Sequence, residues 1–227
     1  MKTIKKIAQS LITILVPIVL VLGVVRVLMT PLFVQIEYRS PNFPADSYGF
    51  TLKDRLRWSK VAVKYLLNDA GIEYLGGLQF DDGSALYNQR ELKHMLDVKI
   101  VVIAAMRVLH VSLAVMILVG VWAYRGEWWW EYRKALSRGG WLTVGLLLTL
   151  IVGIALNFTT VFVAFHRVFF EGETWIFLYS DTLIRLFPVR FWRDAFVLVG
   201  VLALGGGAAI GYACGRRAVS KNNEDID

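Results

Sequence analysis

Residues 88–124 read NQRELKHMLDVKIVVIAAMRVLHVSLAVMILVGVWAY, and the way this stretch is read decides the fold. From Val98 to Tyr124 the chain is dominated by apolar side chains, beyond the roughly 20 residues that a helix needs to cross a bilayer. Just before that run, Asn88 followed three residues later by Glu91 is a helix-start pattern. Together they predict one uninterrupted helix that begins in polar surroundings, passes through His94 and enters a membrane.

Three other runs share this character: Ile7–Met29, Trp141–Phe165 and Ala195–Cys214. With 56% hydrophobic and 19% charged residues among 227, and a mean hydropathy of +0.53, the composition is that of a membrane protein. The first run follows Lys2, Lys5 and Lys6, as a secretory signal would. It is too long for a signal core, however, and no small-x-small cleavage pattern precedes Pro31, so it is expected to be a retained anchor. The single cysteine, Cys214, excludes an internal disulfide and any paired-cysteine zinc or redox site.

A formal charge of +7 would suggest nucleic acid in a soluble chain, but here most of the cations fall where membrane topology puts them. Four crossings bring Lys2, Lys5 and Lys6, the connection carrying Arg125, Arg133, Lys134 and Arg138, and Arg216, Arg217 and Lys221 to one side. The positive-inside bias makes that side cytoplasmic. Trp128, Trp129 and Trp130 then read as an aromatic belt at the inner interface. The expected fold is an all-α membrane protein with four transmembrane helices and both termini in the cytoplasm. Its segments are a first helix within 1–29, an extracytoplasmic domain over 30–97, a second helix over 98–124 and a cytoplasmic loop over 125–140. A third helix over 141–165, an extracytoplasmic aromatic loop over 166–194, a fourth helix over 195–215 and a cytoplasmic tail over 216–227 complete the order.

Within 30–97, Thr51–Asn68 has helical spacing, with Leu52, Leu56, Val63, Leu66 and Leu67 set against charged residues and Thr51 and Asp54 placed as a capping box. An amphipathic helix lying on the membrane or against the domain is expected. Leu78–Phe80 and Ala85–Tyr87 flank Asp81-Asp82-Gly83-Ser84, a β-hairpin pattern. On the fourth run, Gly207, Gly211 and Gly215 repeat a small-xxx-small spacing that implies close helix packing.

Histidine supplies the chemistry. His94 stands just before the second run and His166 just after the third, and because those runs cross in opposite directions, both imidazoles emerge at the same outer face. His110 lies 16 residues beyond His94 on one helix, about 24 Å deeper at 1.5 Å per residue. It belongs to a different place, and with Arg107 it is expected to hydrogen-bond between helices, although ionisable groups inside a membrane are always functional suspects.

The blocks Asn88-x-Arg90-Glu91-x-x-His94-Met95-x-Asp97-Val98-Lys99, Phe165-His166-x-x-Phe169-Phe170-x-Gly172-x-x-Trp175, Asp181-Thr182-Leu183-Ile184-Arg185-Leu186-Phe187-Pro188 and Phe191-Trp192 resemble the bacterial lipoprotein intramolecular transacylases (Lit), over nearly the whole chain. The resemblance implies an acyltransferase of the bacterial cell membrane with its active site at the extracytoplasmic face and His94 and His166 as its catalytic residues. It implies transfer of the sn-2 acyl chain of a diacylglyceryl-cysteine lipoprotein to that cysteine's own α-amino group, giving the lyso form. The expected partners are the lipoprotein substrate and membrane lipid, with no nucleic acid and no cofactor.

The residues suit that chemistry. An α-amine is mostly protonated at neutral pH, and an imidazole, with an ordinary pKa near 6.5, is a suitable base to free its lone pair. A second imidazole can donate to the oxyanion or to the departing glyceryl oxygen. Attack within one bound molecule gains from proximity, so no enzyme nucleophile is needed; there is no GxSxG elbow in the chain. Arg90, Glu91, Asp97, Asp181 and Arg185 are the candidate substrate-binding residues. Glu91 either caps its helix or fixes the His94 tautomer from one turn away, as Asp97 does from the other direction. Asp181 and Arg185 form either an ion pair four residues apart or an anchor for a substrate carbonyl. Glu91-x-x-His94 imitates half of a di-iron motif; its second half is missing, and no metal is expected. The alternative is a non-catalytic transporter or accessory protein, against which stands the grouping of ionisable residues at one surface instead of along a path through the bilayer.

Overall fold

A computed structural model describes residues 2–170 and 172–224, with side chains through 216. The described residues form eight helices: α1 (Lys2–Leu28), α2 (Pro31–Glu37), α3 (Leu52–Leu67), α4 (Glu73–Gly76), α5 (Gln89–Arg125), α6 (Trp129–Phe169), α7 (Thr182–Leu186) and α8 (Val189–Glu224). Four of them, α1, α5, α6 and α8, are long and apolar enough to cross a membrane. Helix is the form these runs must take, because only intrasegment hydrogen bonding satisfies the backbone in hydrocarbon.

Helix extends further than the apolar runs do. Of the expected loop 125–140, only Gly126–Trp128 connects α5 to α6, with Glu127 at φ 57° making the turn. Charged Glu131, Arg133 and Lys134 are good helix formers and continue α6 beyond its apolar part. In the opposite sense, α6 is not one straight rod. Asn157 leaves helical geometry (φ −159°, ψ 93°), and its side-chain oxygen accepts the Thr160 amide at 3.0 Å, capping a second helical stretch that carries His166.

The chain divides into two compact units. The first comprises residues 1–25, 106–156 and 197–227. In it, Ala8 and Ile12 pack with Ala123, Trp128, Tyr132 and Ala135. The small residues of α8 sit against α6 as their spacing implied. A Cβ on Gly207 would lie 2.8 Å from the Gly140 carbonyl oxygen, and Ser137 donates to the Gly211 carbonyl at 2.7 Å. Arg107 and His110, expected to bond between helices, are instead exposed and make no hydrogen bond or ion pair. Both lie on the outward face of α5, which periodicity cannot tell from the inward one in a run apolar all round.

The second unit comprises residues 26–105 and 157–196. Its core joins Trp58, Ala62 and Tyr65 of α3 to Leu75, Leu86, Tyr87, Met95, Leu183 and Leu186. The capping box of α3 is present in both directions. Its buried face runs through Arg55, Trp58, Ser59, Ala62, Val63 and Tyr65, with Leu66 packed against the core and Leu52 and Leu67 exposed. The stripe read from the leucines is thus rotated, because the stem of Arg55 and the ring of Trp58 bury more surface than Leu52 does. The expected hairpin reduces to one antiparallel bridge, Gln79 to Ala85, with the Leu86 amide bonded to the Leu78 carbonyl at 2.9 Å. Two short arms of this kind are too small to form a sheet alone.

Candidate active site

His94 lies on the second turn of α5, whose start is fixed by reciprocal bonds: the Asn88 side chain accepts the Glu91 amide at 3.0 Å, and the Glu91 carboxylate accepts the Asn88 amide at 2.8 Å. His166 lies near the end of the stretch that Asn157 caps. Each imidazole is 9% exposed. Their rings lie nearly parallel, 19° apart, with centroids separated by 6.2 Å.

Aromatic carbon encloses the pair. Phe170 and Phe177 stand 5.1 and 5.2 Å from His94, while Phe162 and Trp175 stand 4.1 and 4.8 Å from His166. Phe170, Trp175 and Phe177 come from the expected aromatic loop. Phe187, Phe191 and Trp192 from that loop meet one another edge-on instead, and Phe169 packs on Phe165.

The two rings differ in their polar partners. His166 Nδ1 lies 2.8 Å from the Phe162 carbonyl; a carbonyl only accepts, so that nitrogen carries hydrogen, and Nε2 presents a lone pair. His94 Nδ1 is sealed from solvent and has no partner. A bare acceptor is tolerated there more readily than an unpaired N–H, which assigns the hydrogen to Nε2. One ring thus offers an acceptor and the other a donor.

Glu91, 2% exposed, does not orient His94. Its second oxygen accepts the Leu183 amide at 2.7 Å, so the carboxylate ties the start of α5 to α7. Thr182 adds a bond to the Leu86 carbonyl at 2.6 Å. Asp97 is half-buried and makes no hydrogen bond to His94 or any other group. Asp181 is paired with Arg90 at 3.1 Å, not with Arg185, and it also accepts from the Asn88 side chain at 3.1 Å and the Leu178 amide at 2.8 Å. These bonds hold the C-terminal end of the loop bearing Phe177 to the start of α5.

Arg185 finds a partner that the sequence did not indicate. It binds Asp46 at 3.0 Å, donates to the Tyr48 carbonyl at 3.0 Å and lies 3.6 Å over the Phe50 ring. Burial acts to raise the Asp46 pKa, but the Arg185 bond and the Phe50 and Tyr48 amides outweigh it and hold the carboxyl below its ordinary value. Asp46 and Arg185 are 139 residues apart, in segments with no shared periodicity, so no sequence signal marked the pair. Among the described residues no cluster of three or more His, Cys, Asp or Glu side chains is able to hold a metal.

Four helices long and apolar enough to cross a membrane, two of which carry a buried imidazole pair, define a polytopic membrane protein. Residues 10–192 match the family described as lipoprotein intramolecular transacylase Lit, and the chain belongs to that family. An uncharacterized protein of Aquifex aeolicus (strain VF5) is 32% identical over 178 residues, 78% of this chain and 79% of its own length. The in meso structure of the membrane integral lipoprotein intramolecular transacylase Lit from Bacillus cereus superposes with a TM-score of 0.80 at 20% identity, over 99% of this chain and 100% of that one. A histidine-to-alanine variant of that protein gives 0.74 at 20% identity, over 98% of this chain and 97% of its own.

Proposed function

We propose that this protein moves the sn-2 acyl chain of a diacylglyceryl-cysteine lipoprotein onto the α-amino group of the same cysteine. The observation that carries the reading is the stacked pair His94 and His166, one presenting an acceptor and the other a donor inside an aromatic enclosure. Membership of the transacylase family supports it.

In the proposed reaction the substrate's α-amine enters in its neutral form, and Nε2 of His166 takes the one proton that its nitrogen must lose. The nitrogen lone pair then adds to the ester carbonyl carbon. Nε2–H of His94 donates to the oxyanion. As the C–N bond completes, the C–O bond to glycerol breaks, and the proton held by His166 passes to the departing glyceryl oxygen. Nothing enters or leaves: one ester and one amine become one amide and one hydroxyl. The Phe162 carbonyl, fixed on Nδ1, supports His166 while it is charged. The phenylalanine and tryptophan rings exclude water that would otherwise hydrolyse the ester.

Arg90 and Asp181 keep the loop with Phe177 in place in this reading, Glu91 and Arg185 hold α7, and Asp97 faces the incoming glyceride from the next turn of α5. In this reading both termini lie in the cytoplasm and the imidazoles at the extracytoplasmic face of the bacterial membrane, a topology that the positive-inside bias supports. Membrane-impermeant labelling of a cysteine at position 93, with Cys214 replaced by serine, tests that orientation; protection in intact cells contradicts it. For the reaction, the chain is expressed in cells whose lipoproteins are diacylated with a free amino terminus. Fragmentation spectra are expected to show an acyl chain on nitrogen at unchanged total mass. H94A and H166A are each expected to lower conversion about 10²–10⁴-fold while still inserting. Full conversion by both variants overturns the assignment.

A further inference from the structure

The two imidazoles meet different rings in different ways. His166 has Phe162 at 4.1 Å and Trp175 at 4.8 Å between centroids, tilted by 42° and 34°, and so short a separation at so shallow a tilt lays ring face toward ring face. His94 has Phe170 and Phe177 farther off, at 5.1 and 5.2 Å, and turned by 58° and 70° toward edge-on contact. The tryptophan of the enclosure therefore belongs to His166. A turn of its own sets it there. Gly172 takes φ 67°, in the left-handed region that glycine enters without strain. The Trp175 indole N–H donates to the Gly172 carbonyl at 3.2 Å, and the Ile176 amide donates to the Glu173 carbonyl at 3.0 Å.

A charge has to appear beside this ring. The proton taken from the amine rests on one imidazole until the glyceryl oxygen receives it, and at 9% exposure water does little to solvate the resulting cation. Nδ1 of His166 has the Phe162 carbonyl to steady that charge; Nδ1 of His94 has no partner. The face of an aromatic ring is the negative part of its quadrupole, and a cation within about 6 Å of the centroid is drawn to it, most strongly for tryptophan. We propose that Trp175 is a positioning residue for the transferred proton: its π face stabilises the His166 imidazolium, so that the positive charge resides on His166 while His94 stays a neutral donor. The inference rests on the transacylase reading above. It makes the enclosure electrically lopsided as well as dry, and the two histidines unequal. Because the attraction appears only once His166 is charged, it lowers the barrier without tightening the binding of substrate.

The test uses the purified full-length protein in phosphatidylcholine vesicles with a synthetic diacylglyceryl-cysteine lipopeptide. Tryptophans bearing one, two or three ring fluorines are inserted at position 175. Fluorine drains the π face with little change of volume and strengthens the indole N–H as a donor, so the Gly172 bond is kept. The single-turnover rate is expected to fall stepwise with each fluorine, reaching about tenfold at the third, while the half-saturating lipopeptide concentration moves by less than about twofold. Trp175→Leu, apolar but without a π face, is expected to lower the rate about 10–30-fold. Fluorinated phenylalanines at position 177, beside His94, are expected to give a shallower fall. A rate indifferent to fluorination at position 175 overturns the inference and leaves the transacylase reading intact; fatty acid released by Trp175→Leu in that case identifies the ring as a water shield. A slope at position 177 equal to or steeper than that at 175 puts the charge on His94 and overturns the inference too. Failure of the unaltered protein to convert the lipopeptide overturns the transacylase reading and this inference with it.

Discussion

Glu91 shows how much one residue's meaning depends on what faces it. Its spacing to His94 suggested a tautomer-fixing partner, and its spacing to Asn88 suggested a cap. The structure spends both carboxylate oxygens on backbone amides, those of Asn88 and Leu183. Glu91→Gln replaces one acceptor oxygen with an NH₂ that meets an N–H donor head-on. The expected result is a loss of about 1–3 kcal/mol, the cost of an unsatisfied buried polar group. Thermal unfolding in detergent checks it, with turnover falling only in step with the folded fraction; unchanged stability with abolished turnover would instead make Glu91 a chemical participant. The cap was legible because it depends on residues three apart. Leu183, 92 positions away, was not, and the same holds for Asp46, which pairs with the arginine that the sequence had matched to Asp181.

Among elements, the four long helices were legible because their signal is local and long. The capping box of α3 was legible for the same reason. The break in α6 was not: Asn157 is one polar residue in an apolar run and reads equally well as an interhelical bond. Its consequence is a second helix start within α6, nine residues before His166. The tie between α7 and the segment at Asp46 makes an element-scale prediction. Because Arg185 and backbone amides hold the Asp46 pKa below its unfolded value near 3.9, this pair contributes stability above that value and loses it as pH falls through the lower folded value. Asp46→Asn leaves Arg185 buried without its counter-charge and is expected to destabilise the protein by about 3 kcal/mol at neutral pH. The difference from the unaltered protein should shrink below pH about 4, measured by thermal unfolding across pH. A difference constant with pH contradicts the pairing.

For the whole molecule, counting crossings put two histidines 72 positions apart in sequence (166 − 94) at one face, and the rings do lie 6.2 Å apart. Parity reveals depth but not neighbours, so the enclosing Phe162, the carbonyl on Nδ1 and the sealed nitrogen of His94 required the fold. The central claim is that one substrate molecule both gives and receives the acyl chain at this pair. The direct measurement is a crossover experiment with purified protein and an equimolar mixture of two diacylglyceryl lipopeptides, one with deuterated acyl chains and a heavy-isotope peptide, the other unlabelled in both. Intramolecular transfer predicts that every N-acylated product carries either both labels or neither. Products in which a deuterated chain sits on the light peptide, in proportion to mixing, would contradict the account.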